Sequence, residues 1–187
     1  MQIDRIYYPV KTLGYGNRIG IWTIGCLHHC KNCSNPELWE DNPDKEISVD
    51  EIIKCVRNVQ NADGITITGG DPFLQLEELD ALVSELKKIG YEDILVYSGY
   101  TIDEIQAMGS VAEHVLDSIA ILIDGRYVDE LNDDKSFRGS SNQKIHRLNK
   151  EMESRYENAE HWQRKTQLLF HEDRIQAIGI PMKNSRK

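Results

Sequence analysis

The chain lacks most of what would mark a membrane or nucleic-acid protein. No run of apolar residues approaches the roughly 20 needed to cross a bilayer. There is no basic excess: 22 Lys and Arg stand against 31 Asp and Glu, a formal charge of −9. A nucleic-acid binder needs a basic face to neutralise phosphates, so this balance argues against that class. It suits a protein kept dispersed by its own charge. The first residues, MQIDRIYYPVKTLG, show no basic segment followed by an apolar core. They do not read as a secretory signal, and a cytoplasmic setting is expected. Length is short as well. A complete (β/α)8 barrel takes about 250 residues and rarely under about 200, and this chain has 187. That suffices for one domain of roughly 150 residues with an appendage, and for a core that needs no disulfide or metal to fold.

Cysteine is scarce, and its placement is uneven. Three of the four, Cys26, Cys30 and Cys33, lie in GCLHHCKNCSN; the fourth, Cys55, lies in SVDEIIKCVRNVQ. Ile52, Cys55, Val56 and Val59 share one helical face, so Cys55 reads as a small core residue. In a reducing compartment the clustered three suggest a metal or catalysis before disulfides. Two readings compete. A structural zinc wants four protein ligands, with His28 or His29 as the fourth, but zinc spacing usually pairs two short Cys elements across a longer gap. A four-iron cluster held by three thiolates would leave one iron without a protein ligand, open to a small molecule.

Along the chain, strand-like and helix-like segments alternate. Tyr15 to Gly25 reads as a strand ending at the Cys loop. Ser48-Val-Asp-Glu51 is a capping box that opens a helix. Gly64 to Thr68, GITIT, is a β-branched strand running into Gly69-Gly70-Asp71-Pro72. Leu76, Leu79, Leu82, Val83, Leu86 and Ile89 mark a helix stopped by Gly90. Ile94 to Tyr97 is a strand before Ser98-Gly99-Tyr100, and Thr101 to Glu104 is a second capping box. Ile119 to Ile123 is a strand before Asp124-Gly125, and Arg126 to Lys150 is polar. Thr166–Phe170 and Arg174–Ile180 flank HED and can make a hairpin. Alternation of this kind predicts an α/β fold with a parallel sheet. Four polar or Gly-rich segments then follow strands: the Cys loop, GGDP, SGY and DG. They would line the carboxyl-end rim where such folds bind ligands. GGDP alone is a turn; beside a three-Cys loop it becomes a candidate site.

These residues resemble the radical S-adenosylmethionine (SAM) superfamily, in which a C-x3-C-x2-C loop follows the first strand and a Gly-Gly segment follows the second. YYPV, Gly14-Tyr-Gly-Asn-Arg18, Ile24-Gly25-Cys26, GGDP, SGYT, DGRYVDEL and RGSSNQ are similar, in order from Tyr7 to Arg147, to the glycyl-radical-enzyme activases of anaerobic ribonucleotide reductase. Departures from the pattern are Gly14-Tyr15-Gly16 in place of Gly-Pro-Gly, Asn32 in place of an aromatic, and Cys33-Ser34-Asn35 in place of Cys-Tyr-Asn. They leave the partner open.

The resemblance implies a partial, open (β/α) barrel of the radical SAM type over residues 1–150, with a C-terminal extension, 151–187, packed on it. It implies a [4Fe–4S] cluster on Cys26, Cys30 and Cys33, whose fourth iron binds SAM. Asn32, Cys33 and Ser34 would cover SAM by backbone, and Gly69 and Gly70 would let the chain approach it closely. Asp71 would accept from SAM or cap the following helix, and Ser98 and Tyr100 would contact ribose or adenine. No catalytic side chain is implied beyond the cluster and SAM. The implied activity is reductive SAM cleavage and glycyl-radical formation on a partner, anaerobic ribonucleotide reductase first, fed by a flavodoxin or ferredoxin. Another glycyl-radical enzyme, a small-molecule substrate, or a structural zinc module are the alternatives. His28 and His29 read either as groups tuning the cluster or as exposed loop residues. Arg138 to Gln143 reads either as a solvated loop or as a partner dock. The three tryptophans, Trp22, Trp39 and Trp162, read as packing residues.

Overall fold

The computed structural model describes residues 1–170 and 175–183. Its centre is a six-stranded sheet in the order β1 (Ile3–Val10), β2 (Arg18–Thr23), β3 (Gly64–Gly69), β4 (Ile94–Tyr97), β5 (Ile121–Asp124), β6 (Lys144–Arg147). From β2 to β5 neighbouring strands are parallel. The edge strands β1 and β6 run antiparallel to their neighbours. The sheet is therefore open, mixed and parallel-rich.

The alternation of side chains across this sheet separates two environments. Ile19 and Ile21 of β2, Ile65 and Ile67 of β3, Ile94 and Val96 of β4 and Leu122 of β5 face one side. There they pack on α1 (Val49–Arg57), α2 (Leu76–Lys88), α3 (Ile102–Gln106) and α4 (Ser110–Ser118). Both expected capping boxes form. Ser48 and Thr101 each accept the N–H of the Glu three residues on and receive its carboxylate in return. The α2 stripe buries Leu79, Leu82, Val83 and Leu86. Tying down helix starts and burying one apolar stripe is what holds short helices in water.

Cys55 departs from expectation: it is exposed. The buried stripe of α1 is Ile52, Ile53 and Val56. Including Ile53 rotates the stripe by roughly half a quadrant, and at about 100° per residue Cys55 falls off its edge. The strands β1 and β6 and the helix α4 also go beyond the segments legible in the sequence.

The other side of the sheet is covered by α5 (Lys150–Tyr156) and the segments around it. Tyr156, Phe137 and Ala159 pack on Leu95, Ile121 and Ile123. At the amino end of the strands this side holds Arg18, wholly buried. Its guanidinium donates to Thr66 Oγ1 at 2.7 Å, Asp93 Oδ1 at 3.0 Å, the Asp93 carbonyl at 2.9 Å and the Tyr156 hydroxyl at 2.9 Å. The Tyr156 hydroxyl donates in turn to Asp93 at 2.7 Å. A buried cation is tolerable only when paired and fully hydrogen-bonded, and this one ties β2, β3, the approach to β4 and α5 together.

The expected C-terminal hairpin is present as β7 (Gln167–Phe170) and β8 (Ile175–Ile178), an antiparallel pair. The intervening His171 to Asp173, with Arg174, lies outside the described residues. Ile178 is buried against Val10, Leu13, Trp22 and Ile24, which seats the hairpin beside β1 and β2.

Arg18→Ala is expected to cost about 3–5 kcal/mol in urea unfolding, because Asp93 loses its buried cation and keeps only the partly exposed Arg155, at 3.2 Å, as an ionic partner. Replacing both Arg18 and Asp93 by apolar residues should cost clearly less than Arg18→Ala alone.

Candidate active site

The four loops that follow the parallel strands meet at one end of the sheet and enclose a cavity of about 620 Å³. Their sequences dictate how they meet. After β2 the chain enters the Cys loop. Its start is held by Gly25 and Cys26 N–H groups donating to the Leu38 and Trp39 carbonyls, both at 2.9 Å. His29 and Asn32 adopt positive φ of 45° and 57°, which wraps the loop tightly. His29 stacks on Trp39, with ring centroids 4.8 Å apart.

Asp71, in the loop after β3, is the knot. It is 1% exposed. Its carboxylate accepts from the Phe73 N–H at 3.1 Å, the Ser98 hydroxyl at 3.0 Å and the Gly99 N–H at 2.8 Å, and it bonds His28 Nε2 at 3.0 Å. Of the two expected roles, capping is met: Asp71 caps the turn Pro72–Gln75. The imidazole of His28 is 4% exposed and packs edge-on against Tyr100, centroids 4.5 Å apart. The exposed-loop reading of His28 is thus corrected; a buried carboxylate drew it inward. A Cβ on Gly99 would sit 2.1 Å from the His28 ring, so only glycine leaves that seat open. Gly69 and Gly70 serve the chain's own approach in the same way. A Cβ there would lie 2.4 Å from the Thr23 carbonyl oxygen and 2.2 Å from that of Gly25.

The rim continues to β5. Gly125 N–H donates to the Tyr100 carbonyl at 3.1 Å. The RGSSNQ segment then holds this loop from behind. Gln143 donates to the Gly125 carbonyl at 2.7 Å, Asn142 to that of Arg126 at 2.8 Å, and Ser140 Oγ accepts the Val128 N–H at 3.1 Å. Ser140 is wholly buried and Gln143 nearly so. Ser140 and Gln143 are thus consumed inside the fold, whereas Ser141 and Asn142 stay exposed, so the solvated-loop reading holds for only part of the segment.

Cys26, Cys30 and Cys33 all line the cavity and are half-buried. Burial pushes the Cys26 and Cys30 thiols up, and backbone N–H groups oppose it: those of His28 and His29 at Cys26, and that of Tyr127 at Cys30. Asn35 N–H donates to Cys33 Sγ at 3.4 Å. Each sulfur thus has amide donors suited to a thiolate carrying negative charge. Among the described residues no group of three His, Cys, Asp or Glu side chains is placed around one point to hold a single metal ion. Three thiols spread around a cavity fit a cluster better than the closed tetrahedron a structural zinc needs. Cys55 does not line the cavity.

Of the other residues expected at the site, Ser34, Gly69, Gly70, Asp71 and Ser98 line the cavity, whereas Asn32 and Tyr100 do not. The Asn32 amide reaches out to Asp129 at 2.8 Å. The sequence reading missed the rest of the wall: Arg5 over the ring of Trp22, Tyr97, and residues of the hairpin. Trp22 and Trp162 pack as expected, at 3% exposure for Trp22 and against Phe137 and Tyr156 for Trp162. The Tyr97 hydroxyl is buried without a hydrogen-bond partner among the described residues. Its place at the last residue of β4 was the available signal. Among the described residues no helix is long and apolar enough to cross a membrane.

The family profile of the 4Fe-4S single cluster domain matches residues 12–146. The chain is 35% identical over 152 residues to the anaerobic ribonucleoside-triphosphate reductase-activating protein of Escherichia coli K12, covering 76% of this chain and 96% of that protein. It is 31% identical to the protein of the same name from Enterobacteria phage T4, covering 78% and 93%. To the pyruvate formate-lyase-activating enzyme of Staphylococcus aureus it is also 31% identical, covering 73% of this chain but 56% of that enzyme.

If Asp71 serves the fold as argued, Asp71→Ala should lower the stability of the cofactor-free protein by about 3 kcal/mol or more, since several buried donors lose their acceptor. Urea unfolding of the apo-protein measures this. An unchanged midpoint would show that the knot is not structural.

Proposed function

Because the chain belongs to the 4Fe-4S single cluster domain family and, within it, to the anaerobic ribonucleoside-triphosphate reductase-activating proteins, enzymes of the radical SAM type, we propose that it installs a glycyl radical on an anaerobic ribonucleotide reductase. The observation that carries this reading is the convergence of Cys26, Cys30 and Cys33, with amide donors to each, on one cavity that no fourth thiol lines. In this reading residues 1–150 form the core, a partial and open barrel, and 151–187 an extension to it. A [4Fe–4S] cluster held by Cys26, Cys30 and Cys33, with SAM along Gly69-Gly70, would supply the one-electron reduction and hydrogen abstraction that this activity needs.

The chain's own residues bind, orient and exclude. Cys26, Cys30 and Cys33 hold three irons. The backbone at Cys33 and Ser34 and at Gly69-Gly70 lies along the same cavity wall and would flank SAM. Asp71 acts through His28, Ser98 and Gly99, keeping three loops in register, and is a positioning residue. The Ser98 hydroxyl donates to Asp71 and accepts the Tyr100 N–H, and the Ser98 and Gly99 N–H groups donate to Ile123 and Asp71, so Ser98 shapes the wall rather than binding the ligand through its hydroxyl. Asn32 and Tyr100 support the loops rather than the ligand. The apolar wall of Trp22 and Leu13 keeps water from a reactive carbon radical.

Match length favours the reductase as partner over pyruvate formate-lyase. The chain covers nearly the whole of the reductase activases and just over half of the formate-lyase one. The reading carries with it a cytoplasmic setting and a flavodoxin or ferredoxin donor.

Anaerobic reconstitution tests this. The protein should bind about four irons and, with dithionite, form 5′-deoxyadenosine from SAM. Cys30→Ala should lose both, and Cys55→Ala should keep both. A reconstituted wild-type protein that leaves SAM intact would overturn the reading.

A further inference from the structure

The hairpin β7–β8 lies beyond residue 146, where the family match ends, yet it forms part of the cavity wall. Its register sets Leu168 opposite Ala177 and Phe170 opposite Ile175. Side chains alternate along a strand, so these four share one face. Leu168 is 53% exposed, Phe170 75% and Ile175 65%. The opposite face carries Gln167, Leu169, Gln176 and Ile178, and it is the face turned to the protein. Ile178 is buried in the cluster with Trp22. Gln167 donates to the Pro9 carbonyl at 2.9 Å and accepts the Lys11 N–H at 3.1 Å. The hairpin is thus fastened by Gln167, Leu169 and Ile178, and the face left outward is wholly apolar, where ordinary patterning would place polar residues.

This face is continuous with the site, because Leu168 and Ala177 also line the cavity. Three other exposed large apolar side chains lie in or near segments that also supply cavity-lining residues. Leu27 lies in the Cys loop, Leu131 in the turn after the β5 loop, and Met182 beside the cavity-lining Pro181. Tyr15, in the turn before β2, is the exception among the described residues. Single exposed apolar residues are ordinary, but Leu168, Phe170 and Ile175 together on one face beside the cavity mark an interaction surface.

Resting on the function proposed above, we propose that the outer face of the hairpin is the docking surface for the glycyl-radical partner, and that it grips the partner beside the loop whose glycine enters the cavity. The occupant follows from the shared residues. Anything seated permanently on Leu168 and Ala177 also closes the cavity, so a second copy of this chain there would bar the substrate. A protein that arrives, reacts and leaves satisfies both the apolar face and the open cavity.

The test uses the reconstituted full chain, wild type and Phe170→Asp/Ile175→Asp, with the anaerobic reductase of the same organism. The milder Phe170→Ser/Ile175→Thr serves if the first variant misfolds by circular dichroism. SAM cleavage without partner should be unchanged. The Kd for the reductase should weaken by about tenfold or more, as for loss of a central apolar anchor. Glycyl-radical yield by electron paramagnetic resonance should fall at limiting reductase and recover at saturating reductase. Unchanged Kd and yield would overturn the docking surface and leave the function standing. Wild type that leaves SAM intact would overturn both. A wild-type dimer that the variant dissolves, with reductase affinity intact, would assign the face to self-association and overturn the proposal.

Discussion

The carboxylate of Asp71 receives the imidazole of the Cys loop, the hydroxyl and amide that follow β4, and the amide of the turn leading into α2. It sits at 1% exposure, where an ionised group is stable only if its lone pairs find donors. The consequence reaches across the rim. Three loops that would otherwise move independently must adopt one mutual arrangement, and the fourth joins through the Gly125 N–H. The thiols inherit their positions from that arrangement, because His28 lies two residues from each of Cys26 and Cys30 along the loop. Even the glycines answer to it: Gly99 exists as the space His28 occupies.

At the opposite end of the same face lies a second polar knot, Arg18 with Asp93, Thr66 and Tyr156. All four helices α1 to α4 cover the other side of the sheet. The face opposite those helices is covered by Tyr156, Phe137 and Ala159 over β4 and β5, and the cavity lies at its carboxyl end among the loops. The edges of the sheet do not meet, since β1 and β6 each have one strand neighbour. The side of β1 and β2 is closed instead by the hairpin.

Legibility followed range. Both capping boxes, the α2 stripe, GITIT and the β4 strand were readable because each is decided within a few residues. The three-Cys loop was readable because its chemistry needs thiols at short spacing. Cys55 was misplaced because one further isoleucine, Ile53, turned the buried stripe of α1. The edge strands β1 and β6 were not readable because their hydrogen-bond partners are remote or their residues half-exposed. His28, Ser140 and Gln143 departed from the exposed reading for a shared reason. A polar side chain in a loop looks solvated until the tertiary structure supplies a buried partner, which for His28 is 43 residues away.

Local chemistry alone thus decided the central strands β2 to β5, the capped helix starts and the end of the sheet where the polar loops and the three cysteines gather. Short-range propensity and the position of loops after parallel strands suffice for that. Which polar residues face the ligand and which hold the frame was decided only on folding. Asp71, Ser98 and Gln143 all looked available in one dimension, and in three each is consumed by an internal bond. The outward apolar face of the hairpin was decided there too. Alternation along β7 and β8 shows that two faces exist, and only the packing of Ile178 and Gln167 shows which one stays exposed.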